Sequence, residues 1–158
     1  MGIVNDCLHE FSAANSVRLT VEVHAVSAIV RRDCLTQPFE ALLRNALKAA
    51  VASADPKVKV TVRDSDNQLS IAIHDSGQGI QPDNRDRIFD PFFQEEFQHD
   101  RLGMGLTVAK LYADLAGGNI TYQRQQGMTI FQIVLPIEAV SHSSPAHEDD
   151  EGLPPQAA

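Results

Sequence analysis

The sequence predicts a two-layer α/β sandwich, with a mixed sheet of about five strands and about three helices on one face. Three observations lead there. Apolar and polar residues alternate with period two in Val17–Val23, and further strands are read at Lys57–Arg63, Gln68–His74, Asn119–Arg124 and Met128–Leu135. Helical periodicity governs Phe39–Ala52 and Met104–Ala116, which lie between the strands. Turn residues punctuate the boundaries at Asp64-Ser-Asp-Asn67, Gly117-Gly118 and Gln126-Gly127.

Taken in order, Gly2–Ala13 reads as an amphipathic helix with Ile3, Val4, Cys7, Leu8 and Phe11 on one side, the end of an upstream helical region over 1–14. Val17–Val23 is a half-buried strand, and Ala28–Arg31 is read as a second short one. Thr36 is placed as the N-cap of the next helix, with Pro38 in its first turn. That helix runs to about Ala52 and stops before Asp55-Pro56. Strands Lys57–Arg63 and Gln68–His74 follow, then a short helix over Pro82–Phe89 and a polar loop over Gln94–Leu102. Met104–Ala116 is a helix closed by Gly117-Gly118. A hairpin pairs Asn119–Arg124 with Met128–Leu135, and Pro136 ends it. The principal domain thus covers 15–138. The Ser-, Pro- and acid-rich stretch 139–158 is expected to be a disordered tail.

A chain of 158 residues suits one domain with a real core. The net charge is -8, and Glu148, Asp149, Asp150 and Glu151 concentrate part of it in the tail. Such a surface repels nucleic acid, whose binding rests on cationic contacts to phosphate. No apolar run approaches the roughly 20 residues that span a bilayer, and no secretory signal is visible. A soluble, cytoplasmic protein is expected. Cys7 and Cys34 are too few for a disulfide framework and have no metal-ligand spacing.

Four segments carry the chemistry: Phe39-Glu-Ala-Leu-Leu-Arg-Asn-Ala-Leu-Lys-Ala-Ala50, Asp75-Ser-Gly-Gln-Gly-Ile80, Phe89-Asp-Pro-Phe-Phe93 and Gly103-Met-Gly-Leu106. Asn45 and Lys48 are three apart and share a helix face. An Asn carbonyl is a hard oxygen suited to Mg²⁺, and Lys48 suits phosphate oxygens. Asp75 ends an apolar strand, where a buried carboxylate needs a donor such as the exocyclic amine of adenine. Guanine carries a carbonyl acceptor at that position. Gly77 and Gly79 let the backbone approach a base closely. Gly103-Met104-Gly105 leads into a helix whose N–H groups can meet phosphate. The polar stretch before it reads as a lid over the phosphates, with Arg101 its basic group. Singly, each segment also fits a plainer structural role: a solvated Asn–Lys face, a simple Asp-Ser-Gly turn, core aromatics, a flexible helix start. Their order and spacing favour one nucleotide site.

In that order the segments resemble the asparagine, first glycine, phenylalanine and second glycine boxes of the catalytic ATP-binding domain of bacterial sensor histidine kinases. That domain has the Bergerat fold, shared with type II topoisomerases, MutL and anti-sigma serine kinases. The resemblance covers about Val17–Pro136, and Phe89-Asp-Pro-Phe-Phe93 is its most specific element. It implies ATP and Mg²⁺ as cofactors. By resemblance, Asn45 coordinates Mg²⁺, Lys48 contacts phosphate and Asp75 binds the adenine amine. Gly77 and Gly79 shape the base pocket, while Gly103 and Gly105 give the lid hinge and phosphate contacts. Ile80, Phe93, Met104, Leu106 and, more weakly, Thr129 complete the nucleotide site.

Two departures stand out. Members of the family it resembles usually carry Asn, His or Glu four residues before the metal-binding Asn, where this chain has Ala41. Glu40 is adjacent but rotated about 100° around the helix. Arg101-Leu102 stand where many relatives have Gly-Thr. No histidine has the context of a phosphoacceptor, and His9-Glu10 lies too close to Asn45 for the helical hairpin such a residue needs.

The resemblance therefore implies a protein histidine kinase fragment, with its phosphoacceptor dimerisation domain upstream and a response regulator receiver domain as partner. The fragment is expected to be monomeric and the full protein homodimeric. Two rivals remain at this point. One is an anti-sigma-type serine protein kinase, against which Ala41 and the Phe-rich segment argue. The other is a non-catalytic ATP-binding pseudokinase module, which Ala41 keeps open.

Overall fold

The computed structural model describes residues 17–24, 26, 28–93 and 103–137. Their elements run β1 (Arg18–Val23), α1 (Arg32–Val51), β2 (Lys57–Ser65), β3 (Gln68–Asp75), a 3-10 helix (Pro82–Arg87), α2 (Gly105–Leu115), β4 (Asn119–Gln125) and β5 (Met128–Pro136). The strands form one five-stranded sheet in the order β1-β2-β3-β5-β4. β1 pairs with β2 in parallel, and the remaining pairs are antiparallel, so the sheet is mixed as expected.

Period-two alternation decides which face is buried. Val58, Val60 and Val62 of β2, Leu69, Ile71 and Ile73 of β3, and Phe131, Ile133 and Leu135 of β5 all turn inward. Leu35, Phe39, Leu42, Leu43, Ala46 and Ala50 of α1 cover them, with Ala109 and Ala113 of α2. Phe39, Leu42 and Leu43 are fully buried, and each such side chain contributes about 1.5–3 kcal/mol through the surface it removes from water. The opposite face carries polar groups, including the Lys59–Glu22 ion pair and the Gln132–Ser70 hydrogen bond.

Three expectations need correction. Helix α1 begins at Arg32, before Thr36, and Pro38 lies inside it. The extra turn is held because Cys34 and Leu35 are buried against the core, and Arg31 pairs with Asp33 at 2.9 Å. Thr36 caps nothing: its Oγ1 is buried with no hydrogen-bond partner among the described residues. Ala28–Arg31 is not a strand; Ala28 and Val30 pack against the core without pairing to the sheet. The short helix is a 3-10 turn ending at Arg87, before Phe89. Gly2–Ala13, Gln94–Leu102 and 139–158 lie outside the described residues.

Candidate nucleotide site

One end of the helix-facing side is a single row across four strands. Val58, Asp75, Thr129 and Arg124 are successive cross-strand partners on β2, β3, β5 and β4. Asp75 is the last residue of β3 and only 1% exposed. The Gly77 N–H donates to its Oδ1 at 2.8 Å. Burial pushes the Asp75 carboxyl up to about 6, although the Gly77 amide, the Arg124 charge and the Thr129 hydroxyl all pull it down. A carboxylate has about four acceptor positions, so these two hydrogen bonds leave capacity for another donor.

The turn after β3 is shaped around that carboxylate. A β-carbon at Gly77 would lie 2.7 Å from Asp75 Oδ1 and 2.7 Å from Ala49 Cβ on α1. Gly79 has φ +80°, and a β-carbon there would lie 2.3 Å from Arg124 Nη1. A side chain at Gly77 would have to displace the carboxylate or Ala49, and one at Gly79 would be strained by the positive φ and would push Arg124 aside. The result is a cradle with a buried acceptor at its base. Ile80, partly buried beside it, donates its N–H to Tyr122 Oη at 3.1 Å.

Ala49 lies against the turn at Gly77, and Asn45, one helical turn earlier, shares that side of α1. Asn45 is partly buried and Lys48 is exposed. Ala41, a further turn back, packs against the core and offers no polar side-chain atom. Among the described residues no group of three or more His, Cys, Asp or Glu is placed to hold a metal. An ion at Asn45 would draw its remaining ligands from phosphate and water, the usual habit of Mg²⁺. The residues present therefore fit a metal that arrives with a nucleotide.

On the other side, Gly103 (φ +65°) and Met104 lead into α2 at Gly105. Among the described residues, nothing lies within 4 Å of a β-carbon built at Gly105. Leu106 packs against the core. Thr107, not singled out from the sequence, has a buried Oγ1 with no hydrogen-bond partner among the described residues. Phe89 meets Phe131 edge-on at 6.5 Å, and Phe93 lies under the Arg87 guanidinium at 5.0 Å. Phe92 is 70% exposed with φ 64°. Arg101 lies outside the described residues.

Sequence reasoning also missed Arg124 and Tyr122. Arg124 Nη1 donates to Gly77 O and to Thr129 Oγ1, each at 3.1 Å, and its Nη2 donates to Gly127 O at 3.2 Å. Tyr122 packs on Phe131 at 5.4 Å and lies beneath Arg85 at 5.9 Å. Their alternation on β4 was visible, but only the strand register reveals what they face.

Residues 30–139 match the model of the histidine kinase-, DNA gyrase B-, and HSP90-like ATPases. The chain belongs to this family. Within it, the chain is 30% identical over 121 residues to the C4-dicarboxylate transport sensor protein DctB of Rhizobium meliloti, covering 77% of this chain and 19% of that protein. It is similarly short beside other curated sensor kinases that it matches. The mycobacterial sensor histidine kinase MprB superposes with a TM-score of 0.72 at 25% identity, covering 86% of this chain and 93% of that one. Full-length ShkA in complex with AMPPNP superposes with a TM-score of 0.73 at 22% identity, over 86% of this chain and 29% of that one. The fold is the family's two-layer sandwich, and the chain is an ATP-binding domain of the sensor-kinase type.

Proposed function

We propose that this chain binds Mg-ATP and donates the γ-phosphoryl group to a histidine on a separate phosphoacceptor dimerisation domain, from which a response regulator receiver domain takes it. The observation that carries this reading is the buried Asp75 carboxylate at the base of a turn where a side chain at Gly77 or Gly79 would crowd the carboxylate or strain the backbone. That site suits a flat base with an exocyclic amine, and it rejects a carbonyl at the same point because two acceptors would then face each other.

In this reading Asp75 and Thr129 orient the base, and Gly77, Gly79 and Ile80 flank it. Phe93 closes the apolar side. Lys48, Arg101 and the N–H groups at Gly103, Met104, Gly105 and Leu106 neutralise and position the phosphates. Asn45 would hold Mg²⁺, which would supply charge neutralisation at the phosphates. The chain's own residues have no covalent role: they hold the γ-phosphorus in line for an imidazole nitrogen presented by the acceptor. The domain is taken to span 15–138 and to work in the cytoplasm. The fragment is read as a monomer and the whole protein as a homodimer. Among the described residues no helix is long and apolar enough to cross a membrane.

The test mixes the chain with a separately produced acceptor domain and labelled ATP. Mg-dependent, acid-labile label on the acceptor histidine is expected. ATP binding without any transfer to a matched acceptor would instead support a non-catalytic ATP-binding module. One observation favours that second reading: Ala41 presents only a methyl group where a second polar contact would stand.

A further inference from the structure

Arg124 is an exposed-strand arginine whose guanidinium is spent on the base site. It bonds the carbonyl of the turn at Gly77, the hydroxyl that faces Asp75, and the hairpin turn at Gly127. It also lies where a Gly79 side chain would be. One side chain thus links the turn after β3 to β5 and to the β4–β5 hairpin, with Tyr122 adding a second tie at Ile80.

We propose that Arg124 is a positioning residue of the base site, fixing the Asp75–Ile80 turn against β5 so that the Asp75 carboxylate meets the base in one orientation. This rests on the reading of Asp75 as the base acceptor. Arg124 does not itself need to touch the nucleotide. Its two terminal nitrogens hold three acceptors in a fixed plane, in the turn, on β5 and in the hairpin, a spread that the single nitrogen of an ammonium does not reproduce.

The electrostatics run the same way. The groups around Asp75 are Val58 on β2, Thr129 on β5, Arg124 on β4, the Gly77 amide in the turn, and Ala49 on α1 behind that turn. Of these only Arg124 is charged, and it favours the ionised carboxylate. His74 and Lys59 belong to the opposite face of the sheet. Arg124 therefore keeps Asp75 a pure acceptor over a wider pH range than burial alone would allow.

The experiment is calorimetric titration of the chain with ADP in the absence of divalent metal, across pH values from below to well above about 6, where Asp75 titrates. Arg124→Gln should weaken ADP binding about tenfold, the scale of lost hydrogen bonds to a charged group. It should also move the midpoint of the affinity–pH curve upward. Arg124→Lys should restore the midpoint but only part of the affinity, and it carries the test should the glutamine variant melt below the assay temperature. A wild-type curve in both variants, or a loss of equal factor at every pH, would overturn the proposal. Asp75→Asn separates the two levels. If it binds ADP as wild type does, the base-site reading itself fails. If it loses ADP while Arg124→Gln keeps the wild-type curve, only the role of Arg124 fails.

Discussion

The Oδ1 atom of Asp75 accepts the Gly77 N–H at 2.8 Å, and a β-carbon on that same Gly77 would lie 2.7 Å from that same oxygen. The hydrogen bond and the missing side chain are one device: the carboxylate occupies the volume that any other residue would claim. Gly77→Ala should push the carboxylate away and press on Ala49 at once. Overpacking of this kind costs about 1–3 kcal/mol, read in a denaturant melt. ATP affinity should fall at least about tenfold, since a displaced acceptor loses its hydrogen bond to the base.

Asp75 also sets a pH dependence. Its folded-state value is raised from 3.8 to about 6, so between these values the folded protein binds more protons than the unfolded chain. Stability therefore falls as pH rises through this window and is level above it. The charged form costs about 2–3 kcal/mol by linkage. Asp75→Asn should consequently make the nucleotide-free protein more stable than wild type at pH 8, with the gain shrinking towards pH 4. The same variant should show no thermal shift with ATP. Wild-type ATP affinity should rise with pH through about 6.

Gly105 separates stability from binding. Among the described residues nothing approaches its β-carbon position, and it begins a helix. Gly105→Ala should leave stability unchanged or raise it by up to about 1 kcal/mol, the propensity difference within a helix. If phosphate approaches there, ATP affinity should drop while adenosine affinity stays put. Paired melts and titrations measure both.

If Asn45 holds the metal as proposed, Asn45→Ala should remove that ligand while leaving the base cradle intact. ATP binding should lose its enhancement by Mg²⁺, and metal-free ADP binding should stay within about twofold, as expected for sites that do not share a partner. Phosphotransfer to an added acceptor should fall below detection. Retained Mg²⁺ dependence would remove Asn45 from the metal site.

The sheet was legible because alternation is strongest where one face is buried: Leu69, Ile71 and Ile73 stand out against Ser70, Ala72 and His74. The start of α1 was not. Thr36 and Pro38 imitate a cap and first turn, but the burial of Cys34 and Leu35 outweighs that local preference. In the site, the residues whose chemistry is local, such as Asp75 with its two glycines, were readable. Arg124 was not, because its meaning lies in two pairings at once: Arg124 with Thr129 across the hairpin, and Thr129 with Asp75 across a long-range register that no local pattern encodes.

That row has a consequence for how the protein reaches its native state. If β5 paired one residue out of step, Thr129 would turn outward, and Met128 or Ile130 would stand beside the carboxylate. A mispaired chain would hide its core imperfectly and would also have no seat for a nucleotide. ATP would then bind only molecules that have aligned these strands correctly, drawing the population towards them by mass action. The substrate would double as a folding template, and refolding yield should climb when ATP is present from the start.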